Sequence, residues 1–197
     1  MKPDISEFSY GYAVTESFIW DTTLPVVGAP IFPSLIMEGR AGGYDVAIPF
    51  EGVVLFLQFK LSHYMVRNSA FESRGGYLSM PFYRMHLRPR RHSRQHDMLL
   101  ELEASGHPVL YAAPKFHRSH ELNRAYLRRT IVQQSLLISP SIIGSLSDDG
   151  EHHLSFRNGS PVYLCSKPKK IRDIENEESS MKVILDLLEK NRPHKYN

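Results

Sequence analysis

The sequence predicts a mixed α/β fold, a central sheet covered by helices. Three observations predict it. Segments with helical spacing of apolar residues alternate with short strand-like runs, in the order helix, strands, helix, strand, helix, strands, helix. Glycine and proline punctuate the junctions. Apolar residues make up 42% of the 197, enough for the core of one domain with room for a terminal appendage.

Residues 6–20, SEFSYGYAVTESFIW, read as a helix. Ser6 can cap it, Phe8, Tyr12, Ala13 and Ile19 can share its packed face, and Gly11 is its weak point. Pro25, Gly28, Pro30 and Pro33 make the next stretch a connection. SLIME (34–38) reads as a strand, GRAGG as a turn, and YDVAI and VVLFLQFKL as two strands joined by PFEG (49–52). Residues 62–92 read as a long excursion. SRQHDMLLELEAS (93–105) is a helix opened by Ser93 and closed by Gly106 and Pro108. VLYAAPKF (109–116) is a strand, and 119–136 is largely helical. HHLSF and PVYLCSK form a late strand pair across Asn158-Gly159, a strong turn signal. A last, acidic helix covers 174–190. The expected units are 1–172 and an acidic C-terminal helix and tail, 173–197.

A single cysteine, Cys165, excludes a disulfide framework and a cysteine-based zinc site. The start shows no secretory signal, and the apolar runs are short or broken by proline, against the ~20 residues a membrane span needs. The expectation is a soluble, cytoplasmic protein with no membrane partner. Of ten histidines, the pairs His117/His120 and His152/His153 match no zinc-site spacing.

The hairpin 42–61 poses the chemical question. Its second strand is apolar almost throughout, yet carries Gln58 and Lys60, and its first carries Asp45. Side chains alternate along a strand, so Val54, Phe56, Gln58 and Lys60 share a face. In simple register across PFEG, Asp45 comes close to Gln58 and Lys60. Burying such groups is costly unless they are paired or bind metal. Two readings stand: a structural Asp45–Lys60 ion pair, or a phosphodiesterase site. In the second, Asp45, the Gln58 side-chain oxygen and the Phe59 carbonyl hold a hard cation. Lys60 then positions the attacking water and offsets phosphate charge.

Gly43-Tyr44-Asp45, an apolar strand, then Gln58-Phe59-Lys60 resembles the PD-(D/E)xK nuclease superfamily. The glutamine variant looks like the Mrr-type restriction endonucleases, which read G-x-D, apolar strand, Q-x-K. The resemblance spans roughly 6–116. It implies a restriction-endonuclease-like fold, Mg²⁺ or Mn²⁺ as cofactor, and endonucleolytic hydrolysis of DNA. Gln58 stands where the superfamily has a second acid, so another carboxylate is needed. Glu16 is the first candidate, because a glutamate of the first helix often completes the superfamily's site. Glu38 is the second. The chain lacks a target-recognition domain, which implies low sequence specificity, or direction by a protein partner or a second copy. By analogy this suits a defence role such as the effector of an anti-phage system. The alternative is a catalytically silent subunit that binds nucleic acid or protein.

Charge supports a nucleic-acid partner. The net +3 is mild, but 84–96 holds Arg84, Arg88, Arg90, Arg91 and Arg94 with no acid among them. Arginines bind phosphate bidentately and supply sequence-independent affinity. Lys115, Arg118, Arg124, Arg128 and Arg129 form a second cluster. Gln95, at the start of the following helix, is a lesser candidate.

Overall fold

The first helix, α1 (Glu7–Asp21), starts where Ser6 accepts the Ser9 N–H at 3.0 Å. Its buried face is Tyr10, Ala13, Val14 and Phe18, while Phe8 and Tyr12 are exposed. The stripe expected through Phe8 and Tyr12 is thus replaced by Tyr10–Val14–Phe18, whose i, i+4 spacing is equally regular. The computed structural model describes residues 1–33, 43–146, 148–165, 169–172 and 185–191. The strand and turn expected over 34–42, including Glu38, and most of the acidic helix lie outside the described residues.

The hairpin forms in the expected register, β1 (Val46–Phe50) antiparallel to β2 (Val53–Phe59) with Val46 opposite Leu57. Its turn is tighter than expected: Pro49 and Phe50 belong to β1, which leaves Glu51-Gly52 as the turn. The 22–33 connection runs along the free edge of β1, where Val27 and Ile31 bond Pro49 and Ala47. Residues 62–92, expected as an excursion, hold β3 (Ser62–Met65), a single-turn α2 (Phe71–Arg74) and β4 (Phe82–Leu87). Then come α3 (Gln95–Ala104), β5 (Val109–Pro114) and α4 (Ser119–Leu127). The helix expected to 136 ends earlier. Arg129 takes a positive φ of 53°, the Thr130 N–H closes back on the Ala125 carbonyl at 2.9 Å, and β6 (Ser135–Ile138) follows. A one-turn α5 (Pro140–Ile143), β7 (His152–Phe156), β8 (Val162–Leu164) and β9 (Lys169–Arg172) complete the described elements.

Two sheets form where one was expected. The first is mixed, in the order β1-β2-β5-β6, with β2 and β5 parallel. The second is antiparallel, in the order β3-β4-β7-β8-β9. Alternation on β5 explains the layering. Leu110 and Ala112 join the core under α1, while Val109, Tyr111 and Ala113 join the core shared with β4, β7 and α3. All six β5 residues are buried, as in a strand covered on both faces. Residues 185–190 are helical, and Leu188 is fully buried in the α1 core. The architecture is α/β, in layers of α1/α4, first sheet, and second sheet with α3. Among the described residues no helix is long and apolar enough to cross a membrane.

Candidate functional site

The β1–β2 register sets Asp45, just before β1, opposite Gln58, next to last in β2. The Asp45 N–H donates to the Leu57 carbonyl at 2.8 Å, and its carboxylate turns to the strand end. Asp45 Oδ2 accepts from Gln58 Nε2 and from the Phe59 backbone N–H, each at 2.6 Å. Gln58 Nε2 also donates to the Phe59 carbonyl at 3.0 Å, and Gln58 Oε1 accepts from Gln95 Nε2 at 2.8 Å. A chain of polar contacts therefore runs from Asp45 through Gln58 to Gln95, the first residue of α3. Gln58 is 1% exposed and Lys60 9%. The Lys60 N–H continues the β2–β5 ladder by donating to the Ala112 carbonyl at 2.9 Å.

Two glycines let these elements close. Gly43 has φ +71°, and a Cβ there would lie 3.0 Å from the Gln95 carbonyl oxygen. Gly11 faces the Phe59 ring so closely that a Cβ would come within 2.5 Å of it. The residue that weakens α1 as a sequence pattern is thus the one that lets α1 lie on the site strand.

Asp45 and Phe59 line a cleft of about 240 Å³ together with Glu7, Phe8, Gly11 and Phe32. The acid that α1 supplies there is Glu7. Glu16 is elsewhere. It lines a separate cleft with Trp20, Asp21, Tyr126 and Arg129, where its hydrogen bond with the Tyr126 hydroxyl pushes that group up to about 12. The reason is helical phase: nine residues at about 100° each put Glu7 and Glu16 on opposite sides of α1. Helix position alone names neither residue. Only the seating of Gly11 on Phe59 decides which side meets the strand.

The arginine stretch divides. Arg84 sits on β4, where its guanidinium Nε and Nη2 bond the buried Glu72 carboxylate at 2.6–3.1 Å. The absence of acids within 84–96 gives no sign of this, because the acid comes from α2. Arg88, Arg90, Arg91 and Arg94 lie on the loop leading into α3. Arg90 pairs with Asp97 at 3.0 Å, and Arg94 with Glu101 at 3.5 Å. That loop ends one residue before Gln95, so it borders the Asp45–Gln58–Gln95 chain. Its neighbour His96 is buried, and bonds Tyr111 at 3.0 Å and the Gly144 carbonyl at 2.9 Å.

A second polar cluster, unmarked by sequence spacing, lies on the outer face of the second sheet. Glu72, His153 and Cys165 bring donor atoms within 4.8 Å of one another. Glu72 already accepts bonds from Arg84, from His153 at 3.1 Å and from Ser155 at 2.5 Å. Burial alone would raise the Glu72 carboxyl, but these donors more than offset it and hold the group far below its ordinary value. Burial pushes the Cys165 thiol up to about 11. Glu72 thus pairs with Arg84 and His153, while the Cys165 thiol donates to the Tyr163 carbonyl at 3.8 Å, so the three donor atoms lie close together with different partners.

No protein-family model matches this chain, and neither a curated protein nor a solved structure does. The chemistry of the site rests on its own geometry.

Proposed function

We propose that the protein is a metal-dependent endonuclease of restriction-endonuclease-like fold, hydrolysing phosphodiester bonds of nucleic acid, DNA first. One observation carries this reading. The Asp45 carboxylate, the Gln58 amide and the Phe59 carbonyl meet at a strand end beside a cleft, and the next residue is a buried lysine.

The donor set suits Mg²⁺ or Mn²⁺, since Asp45, Phe59 and Gln58 all carry hard oxygens. As folded, Gln58 turns Nε2 toward Asp45 and Phe59, and its amide protons satisfy both oxygens. Holding a cation requires Gln58 to present Oε1 instead. Gln95, itself an amide with a donor and an acceptor, can reciprocate. When bound, the cation supplies Lewis acidity toward the phosphate and a more acidic water. Glu7, on the same cleft, replaces Glu16 as the proposed accessory carboxylate, while Glu38 lies outside the described residues. Lys60 orients the water and offsets charge on the phosphate. The arginines of 88–94 hold the flanking backbone without reading sequence, so target choice falls to a protein partner or second copy. A role as the effector of a defence system suits such a nuclease.

A second reading is favoured by the same amide. Gln58 and the Phe59 N–H already satisfy Asp45 without metal, as a silent binding subunit requires. Incubation with plasmid and single-stranded DNA, with Mg²⁺, Mn²⁺ or chelator, separates the two. The enzyme cuts only with metal, and Lys60→Ala lowers the rate at least about 10²-fold with the fold intact. Binding without cleavage under every condition selects the silent subunit. Cleavage by Lys60→Ala at the wild-type rate removes Lys60 from the chemistry.

A further inference from the structure

The geometry points to a second ligand site, independent of the nuclease reading: a nucleotide cleft on the outer face of the second sheet. The cleft lies between β3, β4 and α2, has a volume of about 660 Å³, and is lined by Arg67, Phe71, Arg84 and His153 among others. That volume falls in the range of small-molecule sites.

Its chemistry is that of a phosphate joined to an aromatic ring. Arg84 is the phosphate-binding group. Glu72, 0% exposed, grips the Nε–Nη2 edge of the guanidinium, so the side chain is immobilised before any ligand arrives. The Nη1 edge stands outside that pair. A fork fixed in advance loses little entropy on binding an anion. Because Arg84 and Glu72 cancel in charge, the cationic surplus comes from their surroundings. Arg67 is exposed on the rim. The His63 imidazole, on the strand paired with Arg84, is held below its ordinary value, by burial first and then by the positive groups around it, Lys2 and Arg84 among them. Glu151, which acts on His86, opposes part of that surplus. Phe71 supplies the ring contact. It is 52% exposed, lines the cleft, and stacks on Tyr77 at 6.2 Å between centroids. An exposed aromatic beside an anchored arginine is the pairing used to stack a base while its phosphate is held. The ligand class is therefore a nucleotide, either free or as the phosphorylated end of a nucleic acid.

Calorimetric titration of the full chain with inorganic phosphate, AMP, and a short oligonucleotide with and without a 5′-phosphate tests this. Saturable AMP binding is expected. Arg67→Ala should weaken phosphate and AMP alike, by about fivefold or more. Phe71→Ala should weaken AMP by about tenfold, the scale of one base stack, and leave inorganic phosphate unchanged. Both residues are exposed, and unchanged thermal midpoints would show the variants folded. Asp45→Ala should leave AMP affinity as in the wild type, which separates this cleft from the proposed nuclease site. Tighter binding of AMP than of the phosphorylated oligonucleotide identifies a free nucleotide as the source, and the reverse identifies a nucleic-acid end. No saturation by any probe at millimolar concentration overturns the site. An AMP affinity that falls with Asp45→Ala but not with Arg67→Ala or Phe71→Ala overturns it equally.

Discussion

At the scale of residues, the candidate site turns on which oxygen or nitrogen faces Asp45. Gln58 is nearly sealed and bonded at both ends of its amide, so its orientation is set by Gln95 as much as by Asp45. The amide protons lie on the Asp45 carboxylate and the Phe59 carbonyl, and the proposed cation site requires the amide oxygen there instead. Glu7 and Glu16 offer a sharper test, because they share one helix and face opposite ways. Glu7→Gln is expected to lower Mn²⁺ affinity by about tenfold or more, as loss of a supporting carboxylate does. Glu16→Gln should leave it unchanged and instead bring the Tyr126 hydroxyl back toward its ordinary value of 10.0. Calorimetry and a spectroscopic tyrosine titration read the two effects separately. Equal loss of Mn²⁺ affinity in both variants would contradict the helical phase argued above.

At the scale of elements, the site depends on α1 lying close on β2 and on a basic loop entering α3. Gly11 meets the Phe59 ring directly, and Phe59 is buried, so a methyl there must displace the ring or lift the helix. Gly11→Ala is expected to destabilise the fold by about 1–3 kcal/mol, the usual cost of overpacking, despite alanine's better helix propensity. Chemical denaturation measures it, and a stabilised variant would show that the helix and ring are less tightly apposed than described. For the loop, Arg88→Ala, Arg90→Ala and Arg91→Ala together should weaken binding to all DNA sequences alike. They should also flatten the salt dependence by about one unit of slope for each phosphate no longer bound. Filter binding at several salt concentrations reads both. An unchanged slope would assign the loop to protein contacts and shift the nucleic-acid footprint to Lys115–Arg129.

At the scale of the whole molecule, ionisable groups are buried or partly buried on several elements, and acid should destabilise the fold in two stages. His96 is buried, and burial holds it below its ordinary 6.5, as it does His63 and His117. Burial disfavours their protonated form, so the unfolded chain binds more protons than the folded one as pH falls. Their stabilisation is therefore present above about pH 6.5 and is lost as pH falls below it. For His96 the slope is at most about 1.4 kcal/mol per pH unit. Glu72 likewise favours its deprotonated form in the fold, here the charged one, held by bonds from His153, Arg84 and Ser155. Its contribution is present above its ordinary 4.5 and is lost as pH falls further. Urea midpoints should be flat near neutrality, decline below pH 6.5, and decline further below pH 4.5. His96→Gln should remove part of the first stage only. A midpoint that rises on acidification to pH 5 would contradict the assignment.

The sequence by itself determined what local rules encode. The cap at Ser6, the existence of the β1–β2 hairpin, the Asp45–Gln58 register, the helix entered after Ser93 and the Asn158-Gly159 turn all depend on neighbours or short-range periodicity. Only the tertiary structure decided what depends on long-range pairing. Within the second sheet β7 and β8 are legible as a strand pair, but β3 and β4 are not, because their outward residues His63, Arg84 and His86 alternate with core residues and resemble an irregular basic excursion. β6 resembles a helix because Ile131–Ile138 is rich in apolar residues without strand alternation, as a strand buried on both sides also is. β9 carries the lysines and arginine of an edge strand, which mimic a solvated loop. The choice of Glu7 over Glu16 and the capture of Arg84 by Glu72 have the same physical cause. A charged side chain's partner is set by which elements pack together, and no spacing along the chain records it.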